Sequence, residues 1–502
     1  MLAGITSINH FPKGMLDQYA SLFETFRWLV PTHFNIGQEC CHRWANSSAD
    51  ARKIALFFED ATGQRDIWTY ERLGAATNQF ANALTRMGVK AGDRVAIALG
   101  QSPEAVIAQL GAYIVGAVAL PLATHLAPKA LEFRIRDSEA KVAVVGSEAA
   151  QNLLSIVSRC NKLSQVIGVG VTDERALAWR SLMLRQSEQF KPHITRADEP
   201  ALLVYHSDTS HPARGVLVSH SALIGALPGF VAAHNWFPHH ADVFWTPLEW
   251  THSTALLCGL LPTLYFGKSI LGVRGATTPG HARELLSRYR ITHALITTTM
   301  LGQLRINTPA DRLPLTSHLR SIAVHDQVVD ESLAYWCERH FGLVPNQIFG
   351  TPEMPALIGD SQQKWPGKRG SLGKTYPGHR IAVLREDGSL AQLDEVGELA
   401  VHQNDAHQHL DPAFPLRNWR EEAEQPKAGT AGWWLTGEMA RIDQDGYIWH
   451  SGNRSRGLNR NKTAPSPEPT GVKSMQATQT LLTDKAPLST PQAAQAKDAP
   501  AE

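Results

Sequence analysis

Residues 205–215 read YHSDTSHPARG and lie between two apolar runs, 201–204 and 216–218. The stretch includes the hydroxyl side chains of Ser207 and Thr209, one guanidinium, Arg214, and a closing glycine, Gly215. Hydroxyls, a cation and backbone N–H groups in a strand–loop–strand setting are what a chain uses to cradle phosphate oxygens. Here the cradle reads as a phosphate loop with its glycines removed, with Asp208 and His211 among its residues. A carboxylate about 4 Å from a phosphate oxygen, at an effective dielectric near 20, costs at most about 4 kcal/mol, or roughly three decades in affinity. Loss of glycine's backbone freedom adds to that cost.

Two histidine-rich stretches invite a metal reading: His234, His239 and His240, and then Asp405, His407, His409 and Asp411. Neither has a helical or turn spacing that converges on a fourth ligand, so both are expected to be solvated loops. The adjacent Cys40 and Cys41 fall in a helical pattern that points them to different sides, one of them buried. Five cysteines in all, without C-x-x-C spacing, fit a reducing compartment. The glycines of VIGVGVTDE are too few for a dinucleotide loop.

The elements that must position these residues follow from periodicity. TYERLGAATNQFANALTRMG places Leu73, Ala76, Phe80 and Leu84 on one helical face and ends in glycine. DRVAIALG reads as a buried strand, SPEAVIAQLGAYIVGA as a helix capped by Ser102 with Pro103 in its first turn, and VALPL as the next strand. PKALEFRIRDSEA followed by KVAVVG repeats the unit, which predicts parallel sheets covered on both faces. Further on, strand-like runs flank Asp387-Gly388 and Asp445-Gly446 and predict a small β-rich subdomain. From about residue 463 the chain is rich in Pro, Ala, Ser, Thr and Gln, a disordered composition. The organisation expected is residues 1–394 as the large α/β domain, 395–462 as the β-rich subdomain and 463–502 as a tail.

Bulk composition bounds the partners. Among 502 residues, 48 Lys and Arg oppose 47 Asp and Glu, a formal charge of +1 that supplies no field for nucleic acid or an anionic membrane. Hydrophobic residues at 43% and charged residues at 19% suit an ordinary folded core. No apolar run approaches 18 residues and the N-terminus has no leader pattern, so the expectation is a cytoplasmic protein with no membrane span.

Taken in order, the motifs resemble those of the AMP-dependent synthetase and ligase family, the acyl-adenylate-forming enzymes, of the acetyl and medium-chain acyl-CoA synthetase type. Residues 205–215 are similar to Y-T-S-G-T-T-G-x-P-K-G, with Arg214 in place of the lysine. DVFWTPLEWTHSTALLCGLLPTLYFG is similar to the segment that walls the acyl pocket, with Trp245, Glu249 and Trp250 on its tryptophan, acidic and aromatic positions. NQIFGTPE resembles N-E-F-Y-G-Q-T-E, matching Gly350 and Glu353 but placing Pro352 at the threonine. GKRGSLGKTYPGHRIAVLREDG matches the family's Gly- and Pro-punctuated run at Gly370, Gly373, Pro377 and Gly378. WWLTGEMARIDQDGYIWHSGN resembles the ribose-binding motif, with Glu438 for its aspartate and Asn453 for its arginine.

The resemblance implies the family's large N-terminal α/β domain and ATP-dependent activation of a carboxylic acid to an acyl-adenylate, then a coenzyme A thioester. It implies Arg214, Ser207 and Thr209 at phosphates, Glu353 on Mg²⁺, Gly350 and Glu438 at the nucleotide and Trp250 at the acyl group. Departures accompany it: the loop glycines are gone, and His325-Asp326-Gln327 replaces a flat glycine turn under adenine. Ser455 stands at the family's hinge, beyond which no lysine of a mobile C-terminal domain can be carried over. Weak or lost catalysis is therefore expected. The alternatives are a non-catalytic pseudoenzyme that holds an acyl ligand or a protein partner, or half of a split ligase completed by a separate C-terminal domain.

Overall fold

Strict alternation along short apolar strands builds the layers. In Arg94–Ala98, Val95 and Ile97 enter one core while Ala96 and Ala98 enter another. In the same way Phe244 and Trp245 of Val243–Trp245 part to opposite faces of their sheet. This is the period of two expected of strands covered on both sides. A computed structural model describes residues 17–206, 213–308, 318–420 and 432–453.

Two large sheets result. The first has eight strands in the order Arg417–Asn418, Arg214–Ser219, Pro200–His206, Val118–Pro121, Arg94–Ala98, Val142–Gly146, Gln165–Val169 and Leu177–Ala178. Six of these, from Pro200–His206 onward, run parallel. The second has nine, in the order Lys374–Thr375, Ile358–Gly359, Asn346–Phe349, Ser321–Val324, His293–Ile296, Val243–Trp245, Ser269–Val273, Ile54–Glu59 and Arg65–Thr69, with six parallel strands at its centre. The largest core holds side chains from both sheets together with helices Tyr70–Arg86, Pro103–Val115 and Ala222–Ala233. A separate core covers the other face of each sheet.

The predicted helices form, and their caps explain where they start and stop. Thr69 Oγ1 accepts from Arg72 N at 3.2 Å, and Ser102 Oγ accepts from Ala105 N at 3.2 Å. The second helix ends at Gly116, whose φ of 78° is left-handed. The β-rich part is an antiparallel four-stranded sheet in the order Ile381–Leu384, Gly397–His402, Trp433–Ile442 and Ile448–Asn453. Its first strand lies upstream of residue 395.

Two local expectations are corrected. Cys40 and Cys41 are both fully buried, because the wide helical turn Gln38–His42 is packed on several sides and leaves neither face to solvent. His234 is not in a solvated loop: it ends helix Ala222–Ala233, is fully buried, and packs its ring 4.9 Å from both Phe230 and Phe244. His239, His240, His407 and His409 are exposed, whereas Asp405 and Asp411 are buried and accept backbone N–H bonds. Among the described residues, no group of three or more His, Cys, Asp or Glu is placed to hold a metal ion.

The sheets are joined at the carboxyl ends of their strands by polar struts. Gln101, 4% exposed just after Arg94–Ala98, donates to Thr246 O at 2.9 Å and Leu248 O at 2.6 Å and accepts from Val273 N at 2.8 Å. Thr124, after Val118–Pro121, donates to Glu249 at 3.1 Å. Replacing Gln101 with Ala strands two carbonyls and one N–H inside the protein, each costing about 1–3 kcal/mol. Urea unfolding should show Gln101→Ala destabilised by roughly 3 kcal/mol or more, and a loss below about 1 kcal/mol would mean water has replaced the strut.

Buried imidazoles predict an acid sensitivity. Burial drives His220 down to about 3 and His293 to about 4, and holds His234 well below the usual imidazole range. On acidification the unfolded chain takes up these protons first. Stability present above about pH 6.5 is therefore lost as pH falls toward 4, at about 1.4 kcal/mol per pH unit for each histidine. His220→Asn keeps an acceptor for the Ile36 N–H, now bound to Nδ1 at 3.2 Å, and removes the titration. It should shrink the stability difference between pH 7 and pH 5 by about 2 kcal/mol; an unchanged difference would show that His220 titrates alike in both states.

Candidate functional site

Open α/β sheets bind ligands beyond the carboxyl ends of their strands, where loops diverge. At that edge the antiparallel pair Pro200–His206 and Arg214–Ser219 opens into residues 207–212. Ser207, Asp208, Thr209 and His211 lie outside the described residues, so the expectations placed on them stand as expectations. The two residues that frame them are described. His206 closes the first strand and sits opposite Arg214, the exposed first residue of the second.

Glu353 lies across the seam, on the nine-stranded sheet's side. It follows strand Asn346–Phe349 in a tight turn where Thr351 N donates to Met354 O at 3.0 Å and Met354 N donates to Thr351 O at 3.1 Å. Gly350 makes that turn possible, since a Cβ there would lie 2.0 Å from Met354 O. The Glu353 side chain is 3% exposed and pairs with His206, Oε1 to Nδ1, at 2.6 Å. Burial pushes this carboxyl up, but hydrogen bonding to His206, the imidazole's charge and the Thr351 hydroxyl outweigh it, so the net shift is downward.

Glu438 occupies strand Trp433–Ile442 directly opposite Asn453, so the two residues matched to the ribose motif are cross-strand partners. Its carboxylate meets His450 Nε2 at 2.7 Å, and the His450 ring lies 6.1 Å from that of Phe349, beside Gly350. Each carboxylate matched to the nucleotide therefore has a histidine against it. Sequence reasoning passed over both His206 and His450. The signal for His206 was available, since it replaces the second residue of Y-T-S-G, whereas His450 lies at an unspecified position of its motif.

The adenine and acyl stretches are also placed. Asp326 is spent on the helix Thr298–Ile306, accepting from Thr298 N at 2.7 Å and Thr298 Oγ1 at 3.0 Å. His325 stands 5.6 Å, ring to ring, from His252, and burial first and His252 second lower it to about 4, so both rings present neutral bulk at pH 7. Trp250 is 1% exposed and belongs to the core shared by the two sheets, where a Cβ on Gly272 would come within 2.7 Å of its ring.

The surroundings of Glu353 do not suit a divalent cation. Mg²⁺ needs a free carboxylate oxygen at 2.0–2.1 Å with room beside it for water or phosphate oxygens, but this carboxylate is 3% exposed and has the His206 imidazole 2.6 Å from Oε1.

Comparison with known proteins agrees with this architecture. The chain is 28% identical over 425 residues to an uncharacterized acyl-CoA ligase of Bacillus subtilis, covering 84% of this chain and 77% of the relative. It is 26% identical to the acetyl-coenzyme A synthetase of Pasteurella multocida, covering 86% and 70%. Among solved structures, the acyl-CoA synthetase of Brucella canis superposes with a TM-score of 0.77 at 23% identity, over 87% of this chain and 80% of that one. The N-terminal domain of FACL13 from Mycobacterium tuberculosis superposes with a TM-score of 0.72 at 22% identity, over 84% of this chain and all of that one. Residues 42–407 match the model of the family described as AMP-binding enzyme, and with that match over most of its length the chain belongs to this family.

Proposed function

We propose that this is an acyl-CoA synthetase-like protein whose adenylation of a carboxylic acid is weak or lost. The observation that carries the reading is that both carboxylates matched to the nucleotide, Glu353 and Glu438, meet the chain's own histidines at 2.6 and 2.7 Å. Asp326, engaged in capping a helix where the family has glycine, supports it further.

The surviving roles are those of binding. Arg214 would attract phosphate or carboxylate oxygens, Ser207 and Thr209 would donate to them, and Glu438 would take ribose hydroxyls once His450 lets go. Trp250 would limit the acyl group. ATP, and coenzyme A as acyl acceptor, are the cosubstrates this reading calls for. The relatives' names make a carboxylic acid the natural class of ligand.

Calorimetry with Mg·ATP and with AMP, followed by pyrophosphate exchange in the presence of acetate and medium-chain carboxylates, checks the reading. No nucleotide binding below millimolar and no acid-dependent exchange are expected. Micromolar binding accompanied by exchange would overturn it. The double variant Asp208→Gly with His211→Gly should tighten ATP binding by up to about three decades, the size of the repulsion removed. No tightening would mean that the loop is not what keeps nucleotide out.

A further inference from the structure

His206 does more than fill a gap in a motif. It ends a central strand of the eight-stranded sheet, and Glu353 follows a strand of the nine-stranded sheet, so their contact is a third strut along the seam that Gln101 and Thr124 also bridge. Strands Arg94–Ala98, Val118–Pro121 and Pro200–His206 are neighbours, and each sends one polar side chain across from its carboxyl end or from the residues just beyond it. The contact is held from both ends. His206 is fixed by pairing with Arg214, and Glu353 by the reciprocal turn at Thr351 and Met354.

Resting on the reading that Glu353 is the nucleotide-facing carboxylate, we infer that His206 takes the place of a divalent cation at Glu353, so that the folded chain binds no metal ion there. The His206 side chain is 37% exposed and Glu353 only 3%, so of the two groups in contact it is the imidazole that reaches solvent. A metal would have to evict it, and among the described residues Glu353 belongs to no group of three or more His, Cys, Asp or Glu placed to hold one. Arg214, opposite His206 on the neighbouring strand, places a guanidinium-bearing residue at the same edge.

Mn²⁺ alone is the probe, with free Mn²⁺ counted by electron paramagnetic resonance on the full chain at pH 7 and nucleotide absent. Wild type and Glu353→Gln should bind Mn²⁺ indistinguishably. His206→Thr should gain one site at least tenfold tighter than the background, and His206→Thr with Glu353→Gln should lose it. A wild-type site that Glu353→Gln abolishes would overturn the inference, as would a folded His206→Thr variant, verified by circular dichroism, that gains nothing. Should His206→Thr not fold, the wild-type chain decides: its His206 imidazole resonance, identified by its disappearance in His206→Gln, should resist broadening by Mn²⁺, and early broadening overturns the inference. Because nucleotide is absent, the outcome separates from the preceding one. Micromolar ATP binding would sink the reading of lost adenylation while the metal result stood, and a wild-type Mn²⁺ site at Glu353 would sink only this inference.

Discussion

The seam between the two large sheets is the constraint on which the rest of this protein depends. A single apolar core joins them, fed by inner-face residues such as Val95, Ile97 and Ala119 on one side and Phe244, Ile270 and Ala323 on the other. Burying so much surface stabilises the pair but leaves strand ends with polar backbone groups that must be satisfied at depth. Gln101 serves three of them at once. The candidate site lies along the same seam, where His206 and Glu353 make the bridge.

That origin explains how a family site can be altered without loss of the fold. The apolar pattern and the struts at Gln101 and Thr124 are set by residues elsewhere in the chain. Glu353 is different. A carboxylate 3% exposed needs a polar partner whatever the protein does, and His206 supplies one from a strand already in position. A buried contact of this kind is weak evidence for stability in itself, because desolvation offsets much of the attraction.

Much of this was legible in the residues. Thr69, Ser102 and Gly116 announce helix ends through chemistry that acts within three or four residues, and alternation in VAIALG reports two buried faces. Gly350 and Glu353 are found from their motif because the turn that holds them is local. The illegible part is long-range. Nothing near His206 says that residue 353 lies against it, and nothing near Asp326 says that the helix beginning at Thr298 needs its cap. The pair Cys40 and Cys41 was misread for a related reason, since periodicity reports which face of a helix is apolar but not how many layers surround it, and His234 was misread as part of a loop because the end of its helix was not foreseen.

The small antiparallel sheet holds one more consequence. Between its strands Gly397–His402 and Trp433–Ile442 the chain leaves it, and Arg417–Asn418 pairs with Val216 and Leu217 at the edge of the eight-stranded sheet before the chain returns. On the way, Asp411 meets His379 at 2.6 Å and Ala413 packs against Gly225 closely enough to leave no room for a Cβ. The polypeptide is therefore laced through the larger body rather than appended to it. Such a sheet cannot be excised, grafted or exchanged as a cassette between relatives without unpicking a strand from its host, and it will be inherited with the eight-stranded sheet as one piece.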